Sequence, residues 1–152
     1  MSLPGRLLSE HTGVVGLPLS RAAEIMLTVP VGTVRGDDVP LVIGGESGGV
    51  VTISGGPSTF TAAGDHQLTI EVDPDAGWIQ SRGQWWYCGR LQLAEHPDGT
   101  LVTQQTYNCA KGVSGRLVPF TVGRHHRQSG EQVLTRVLRA FAERFGARTY
   151  RP

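Results

Sequence analysis

The chain has one stretch able to form a long amphipathic helix, and it lies at the C-terminus. In SGEQVLTRVLRAFAERFG, residues 129–146, Leu134, Val137, Leu138, Phe141 and Phe145 fall at i, i+3, i+4, i+7 and i+11, a single apolar stripe, with Arg136, Arg139, Glu143 and Arg144 on the other side. Ser129 and Gln132 have capping-box spacing and Gly146 stands where a C-cap belongs. The preceding LVPFTVGRHHRQ lacks strand alternation, so a helix start near Thr121 reads equally well from the same text. Such a stripe must be buried against something, and nearly everything before it is strand.

Residues 5–15, GRLLSEHTGVV, mix β-branched, apolar and polar residues and stop at the breaker GLP, as a first strand does. In LSRAAEIML, residues 19–27, Leu19, Ala22, Ala23 and Met26 have helical spacing behind Ser20, read as the N-cap after Pro18, and Pro30 closes a short helix. The Gly-rich text from 31 to 64 carries VPLVI, GVVTI and STFTA, which predict two or three short strands joined by tight turns. HQLTIEV alternates Leu68, Ile70 and Val72 against Gln67, Thr69 and Glu71, and DPDAG, residues 73–77, turns the chain into WIQSR. A long hairpin follows in GQWWYCGRLQLAEHPDGTLVTQQTYN, residues 83–108, around a turn built from Pro97, Asp98 and Gly99. Strand, short helix, antiparallel strands and terminal helix predict one α+β domain over residues 1–152: a curved antiparallel sheet covering its apolar face with the C-terminal helix, and a groove between them.

The walls of the hairpin mix Trp and Tyr with Gln, Thr and Asn. A buried amide or hydroxyl must find a partner or cost about 1–3 kcal/mol, so a purely apolar core has no use for them, whereas a ligand cavity does. The plainer alternative is that these groups bond one another in a packed core or face solvent. Trp85, Tyr87, Leu91 and Leu93 share one strand face with Gly89, where a missing side chain suggests close approach of something else. Two registers are open for the returning strand. A three-residue loop bulged at Gly99 turns Leu101, Thr103, Gln105 and Tyr107 inward, with Cys88 outward and Cys109 inward; a slip of one residue turns Val102, Gln104, Thr106 and Asn108 inward instead. The first is preferred because it hides Leu101 and Tyr107. The candidate ligand-binding residues are then Trp85, Tyr87, Leu91, Thr103, Gln105, Tyr107, Phe120, Leu134 and Leu138.

Other chemistry finds little purchase. With 14 Lys and Arg against 13 Asp and Glu, the net charge of +1 gives no broad field for nucleic acid or anionic lipid, although local basic patches remain open. Two cysteines are too few for a disulfide scaffold or a structural zinc site and read as buried thiols. His125 and His126 are adjacent and point about 100° apart on a helix, so they face no common metal; with Arg124 and Arg127 they form a basic cluster read as a solvated helix start, or as a contact for a phosphate or carboxylate head group. No H-E-x-x-H, G-x-S-x-G or P-loop string occurs, and GGESGGVV lacks dinucleotide-binding spacing. Tyr87, Tyr107, Asp65, His66 and Arg82 form the pool for acid–base chemistry, none paired at diagnostic spacing. No signal-peptide pattern or 18-residue apolar run is present, so the expectation is a soluble, cytoplasmic protein with no cofactor and no metal.

The order of elements, with Gly89, Leu93, Gly99, Thr100 and Val102 in the hairpin, Pro18 before the short helix and VLTRVLRAFAERF at the end, resembles the START-like superfamily, also called Bet v 1-like or the polyketide cyclase and lipid transport family. The resemblance implies a helix-grip fold, a sheet curling around the C-terminal helix over an internal cavity for an apolar or amphipathic small molecule. Its buried Val after Gly-Thr favours the second register. It implies no single chemistry, because the scaffold serves carriers, receptors, cyclases and co-chaperones. The Gly-rich second and third strands depart from the pattern and leave the cavity entrance open. The leading expectation is a carrier or sensor of a lipid, polyketide or similar molecule. The alternatives are a cyclase, aromatase or dehydratase using the same cavity, and a protein-interaction module. Nucleic acid and stable membrane insertion are not expected as partners; a homodimer is left open.

Overall fold

The computed structural model describes residues 5–43, 49–64, 67–83, 85–121 and 123–152, with Ser114 described by its backbone alone. Strand β1 (Arg6–Val15) leads into helix α1 (Leu19–Met26), then β2 (Gly32–Arg35), β3 (Val50–Gly55), β4 (Thr59–Ala63), β5 (Gln67–Asp73), β6 (Trp78–Gly83), β7 (Tyr87–His96) and β8 (Gly99–Asn108). Helices α2 (Gly112–Leu117) and α3 (His126–Phe145) and the two-residue β9 (Thr149–Tyr150) complete the chain. The described strands form one antiparallel sheet in the order β2-β3-β4-β5-β6-β7-β8-β1-β9. From β2 to β8 each strand pairs with its successor, and β1 closes against β8.

Helix boundaries differ from the expected ones in instructive ways. Pro18, not Ser20, is the N-cap of α1, because its carbonyl already accepts from the N–H groups of Arg21 and Ala22, each at 3.0 Å, and Ser20 falls inside the helix. Helix α3 begins between the two sequence readings. His125 caps it, Ser129 N–H bonds the His125 carbonyl at 2.9 Å within the first turn, and Thr121 and residues 123–125 are turns rather than helix. Gly146 takes the left-handed conformation expected of it, φ 64°, and Ala147 N–H bonds the Phe141 carbonyl at 3.1 Å. VPLVI is not a strand: Pro40 brings no N–H to a ladder, and Ile43 N–H closes a turn onto its carbonyl at 3.1 Å, while Val39 and Val42 are still buried. GVVTI and STFTA are the strands β3 and β4.

Four of the five residues of the α3 stripe pack as the spacing requires, while Phe145, in the last turn, is 37% exposed. Leu134, Val137, Leu138 and Phe141 join Val15, Ile53, Phe60, Ile70, Val72, Ile79, Leu91, Leu93 and Val102 in one core. The helix lies over β1 and β8, and a Cβ at Gly13 of β1 would meet the Leu138 side chain at 2.7 Å, so that glycine sets how closely helix and sheet approach.

The hairpin adopts the second register. His96 pairs with Gly99, Leu93 with Val102, Leu91 with Gln104, Gly89 with Thr106 and Tyr87 with Asn108. The loop is Pro97–Asp98 alone, Gly99 supplying φ 136° without a bulge. Val102, Gln104, Thr106 and Asn108 therefore share the inner face with Leu91 and Leu93, and the expected inner wall of Leu101, Thr103, Gln105 and Tyr107 lies outside. The preference had assumed that an outward Tyr107 would be wet. Instead Tyr107 is buried on the outer face, its ring 5.8 Å from the Arg90 guanidinium, which lies 4.1 Å from the Trp78 ring. Cys109 is likewise not inward: its thiol contacts that of Cys88 and the Arg82 side chain on the outer side. The two cysteines are not joined in a disulfide.

Candidate functional site

A polar band crosses the otherwise apolar inner face. Ser81 of β6, Gly89 of β7, Thr106 of β8 and Ser9 of β1 stand in register, and Gln104 pairs with His11 in the next row. Ser9, Ser81, Gln104, Thr106 and Asn108 are all buried. The space that Gly89 leaves is filled by the hydroxyl of Tyr87, which folds back over its own strand, bonds Ser81 and lies in the field of Arg136 from α3. Close approach at Gly89 is thus met from within the chain. Burial above all, and then the Cys88 thiol, push the Tyr87 hydroxyl up from its ordinary pKa, so it stays a neutral donor.

Below the first turns of α3, polar atoms converge. Gln104 Nε2 donates to Thr106 Oγ1 at 3.1 Å, leaving Oε1 buried without a partner among the described residues. His11 Nδ1 lies 3.1 Å from Glu131 Oε2, and its Nε2 is buried and unpartnered, as is Nδ1 of His126. A Cβ at Gly130 would sit 2.5 Å from Gln104 Oε1 and 3.1 Å from His11 Cδ2, so both side chains crowd the same point on the helix. Burial, then the charge of Arg127 and the neighbouring His11, lower the pKa of His126. Asn108 anchors the adjoining segment, donating from Nδ2 to the Gly115 carbonyl at 2.6 Å and accepting from Ala110 N–H at 3.1 Å.

Beside the band, where β6 hands over to β7, a recess of about 320 Å³ opens among Thr69, Arg82, Trp85, Trp86, Tyr87 and Cys109. The Trp86 and Tyr87 rings meet edge to face at 5.5 Å, and Trp85 projects, 54% exposed. Arg82 brings a guanidinium, Nη1 standing 3.6 Å from Glu71 Oε1. Burial, reinforced by Cys109, pushes the Cys88 thiol up to about 12, and burial also raises Cys109. Both remain thiols at neutral pH. The recess offers aromatic faces, one cation and neutral hydrogen-bonding groups, a set that holds and orients a guest. A wider groove of about 690 Å³ between residues 16–19 and 95–99 is less promising, because its polar groups engage one another. There His96 Nδ1 accepts from Asp98 N–H at 3.1 Å, and Asp98 accepts from the Tyr150 hydroxyl at 2.6 Å.

Of the residues singled out from sequence, Trp85 and Tyr87 line the recess. Leu91 and Leu134, 1% and 0% exposed, border no space that water could enter, and Leu138 packs on Gly13. Thr103, Gln105 and Tyr107 are on the outer face, where Tyr107 donates to Gln105 Oε1 at 2.9 Å and Gln105 donates to Glu10 at 2.8 Å. Phe120 points into solvent. Ser81 and His11 lie outside that set, as do Gln104 and Thr106, which belong to the inner face of the second register. Among the described residues no group of three or more His, Cys, Asp or Glu could hold a metal ion, and no helix is long and apolar enough to cross a membrane. No family model, no curated protein and no solved structure matches this chain.

Proposed function

We propose that the chain is a START-like, helix-grip protein that binds a hydrophobic or amphipathic small molecule, a lipid, polyketide or similar compound, as its carrier or sensor. The order of elements, the terminal helix on the sheet and the inward Val102 of the hairpin support the family reading. The observation that carries the binding reading is the aromatic recess at the edge of the buried polar band. Its volume, about 320 Å³, stands at the lower end of the usual ligand-pocket range of about 300–1,000 Å³. A flat apolar portion stacks on Trp85 and Trp86, and an anionic or hydrogen-bond-accepting end meets Arg82. The recess lies apart from the expected contact of α3 with the sheet, where Leu134, Val137 and Phe141 are fully buried in the core. Because burial keeps Tyr87 and both thiols protonated, the recess favours holding a guest over abstracting a proton.

The test combines native mass spectrometry and solvent extraction of the purified protein with tryptophan-quenching titrations against fatty acids, isoprenoids and aromatic polyketides. Saturable quenching that weakens at least tenfold in Trp85→Ala and in Arg82→Gln is expected. A protein that carries nothing and shows no saturable quenching overturns the reading.

A further inference from the structure

The segment joining β8 to α3 turns its apolar residues outward. In α2 and the 3-10 turn Val118–Phe120, Gly115 and Val118 face the protein, while Val113, Leu117 and Phe120, at i, i+4 and i+7, are 74%, 50% and 78% exposed. The underside is well seated. Asn108 holds the Gly115 carbonyl, Val118 is fully buried, Gly123 N–H bonds the Val118 carbonyl at 2.8 Å, and a Cβ at Gly123 would stand 3.3 Å from the Trp86 ring. Rotating the segment to hide the outer stripe would tear out these contacts, so the stripe is a built surface of the fold.

Its charge is one-sided as well. The sequence has no Asp or Glu between Asp98 and Glu131, whereas Lys111, Arg116, Arg124 and Arg127 fall there and all four are exposed. In a chain of net charge +1, the stretch from 99 to 130 thus carries four exposed cations and no anion beside three projecting apolar side chains. A second copy docked face to face about a two-fold axis would set these cations against themselves. An anionic lipid surface complements both halves of the patch, since apolar side chains enter the boundary of the acyl layer while Lys and Arg meet the head groups.

We propose that this face docks the protein peripherally on anionic membranes, with Val113, Leu117 and Phe120 entering the headgroup layer and the four cations engaging lipid phosphates and carboxylates. The docking does not depend on the small-molecule reading. Flotation with phosphatidylcholine vesicles, with and without about one-third phosphatidylserine, tests it. The wild type floats with the anionic vesicles and is released by high salt, as screened surface charges require. Leu117→Ser/Phe120→Ser abolishes flotation, and Arg116→Gln/Arg124→Gln weakens it about 25-fold, roughly fivefold per charge. All four positions are exposed, and circular dichroism of each variant checks that the fold is kept. Failure of the wild type to float with anionic vesicles, or undiminished flotation of the folded Leu117→Ser/Phe120→Ser variant, overturns the proposal. So does self-association that Phe120→Ser abolishes in the absence of lipid binding, which assigns the face to a protein contact.

Discussion

Gly130 is the position where the fold and the polar band constrain each other most tightly, and replacing it with Ala separates two opposed effects. In an unhindered helix interior Gly→Ala stabilises by about 1 kcal/mol. Here the added Cβ would sit 2.5 Å from Gln104 Oε1, 3.2 Å from its Cδ and 3.1 Å from His11 Cδ2. A long flexible side chain usually yields at little cost, but Gln104 is 1% exposed and its Nε2 is tied to Thr106. Moving it forfeits a buried hydrogen bond, about 0.5–1.5 kcal/mol, and overpacks the site by about 1–3 kcal/mol. Once the helix gain is subtracted, Gly130→Ala should destabilise by about 1–3 kcal/mol. In a Gln104→Ala background the same Cβ meets room, and the intrinsic gain of about 0.5–1 kcal/mol should reappear. The coupling between the two positions is therefore about 1.5–4 kcal/mol, well above the roughly 0.3–0.5 kcal/mol seen between independent sites. Urea denaturation of the four proteins of the cycle measures it. A Gly130→Ala protein as stable as the wild type, or a cycle that closes within about 0.5 kcal/mol, would show that α3 does not press on the band as described.

Arg90 is buried on the outer face, donates from Nε and Nη2 to Gln80 Oε1 at 2.9 and 2.7 Å, and stacks on Trp78. Arg90→Ala should cost about 2–4 kcal/mol in urea melts, and Arg90→Lys should recover only part of it, because an ammonium lacks the planar fork; full recovery by Lys speaks against the stack. Because His126 has a pKa below its ordinary value, the unfolded chain binds its proton first on acidification, so stability rises with pH across the window from the lowered value up to about 6.5. Thermal melts of His126→Gln should lose less stability than wild type between neutral pH and that window; equal losses refute the assignment. With Cys88 at about 12, only about one thiol in 10⁴ is ionised at pH 8, so a disulfide reagent should leave it untouched in the folded protein, while the partly exposed Cys109 reacts slowly. Two rapid equivalents in the native state contradict the burial that raises both.

What the sequence makes legible follows from period. The α3 stripe from Leu134 to Phe141, the alternation of β5 and the glycine after α3 each rest on a repeating contact or a special φ, and each lies where expected. Capping was harder to read. Ser129 has the right spacing for a capping box, but spacing alone does not say where the helix turns out of the preceding segment, and the seating of Val118 and Gly123 decides that. Helix α2 and strand β9 carry no periodic signal, being six and two residues long, and their conformations are set by neighbours: Asn108 for the first, Val14 and Val15 for the second. Trp85 and Tyr87, which line the recess, stand out in the sequence because they are aromatics next to a glycine-bearing strand. Arg82 and Cys109 complete the recess only through the pairing of β6 with β7 and the bend after β8, which no local pattern announces.

The hairpin register shows why burial is a poor guide to which way a strand residue points in this protein. Counting apolar side chains, the face of β8 with Leu101 and Tyr107 outweighs the face with Val102, and the first ought to turn inward. That inference holds only if the outer face of a sheet is wet. Here Trp78, the Arg90 guanidinium and Tyr107 stack across β6, β7 and β8, and the chain of Glu71, Gln80 and Arg90 ties the stack down with hydrogen bonds at 3.0, 2.9 and 2.7 Å. A polar layer built this way dries its own surface, since the arginine stem and aromatic faces cover one another and two of the guanidinium donors bond Gln80. Tyr107 is buried without entering the core, and the opposite face of β8 is free to carry Gln104 and Thr106 beneath α3. The buried polar band is the other side of that arrangement: with period two, placing the stacking residues outside obliges the amide and hydroxyl to lie within.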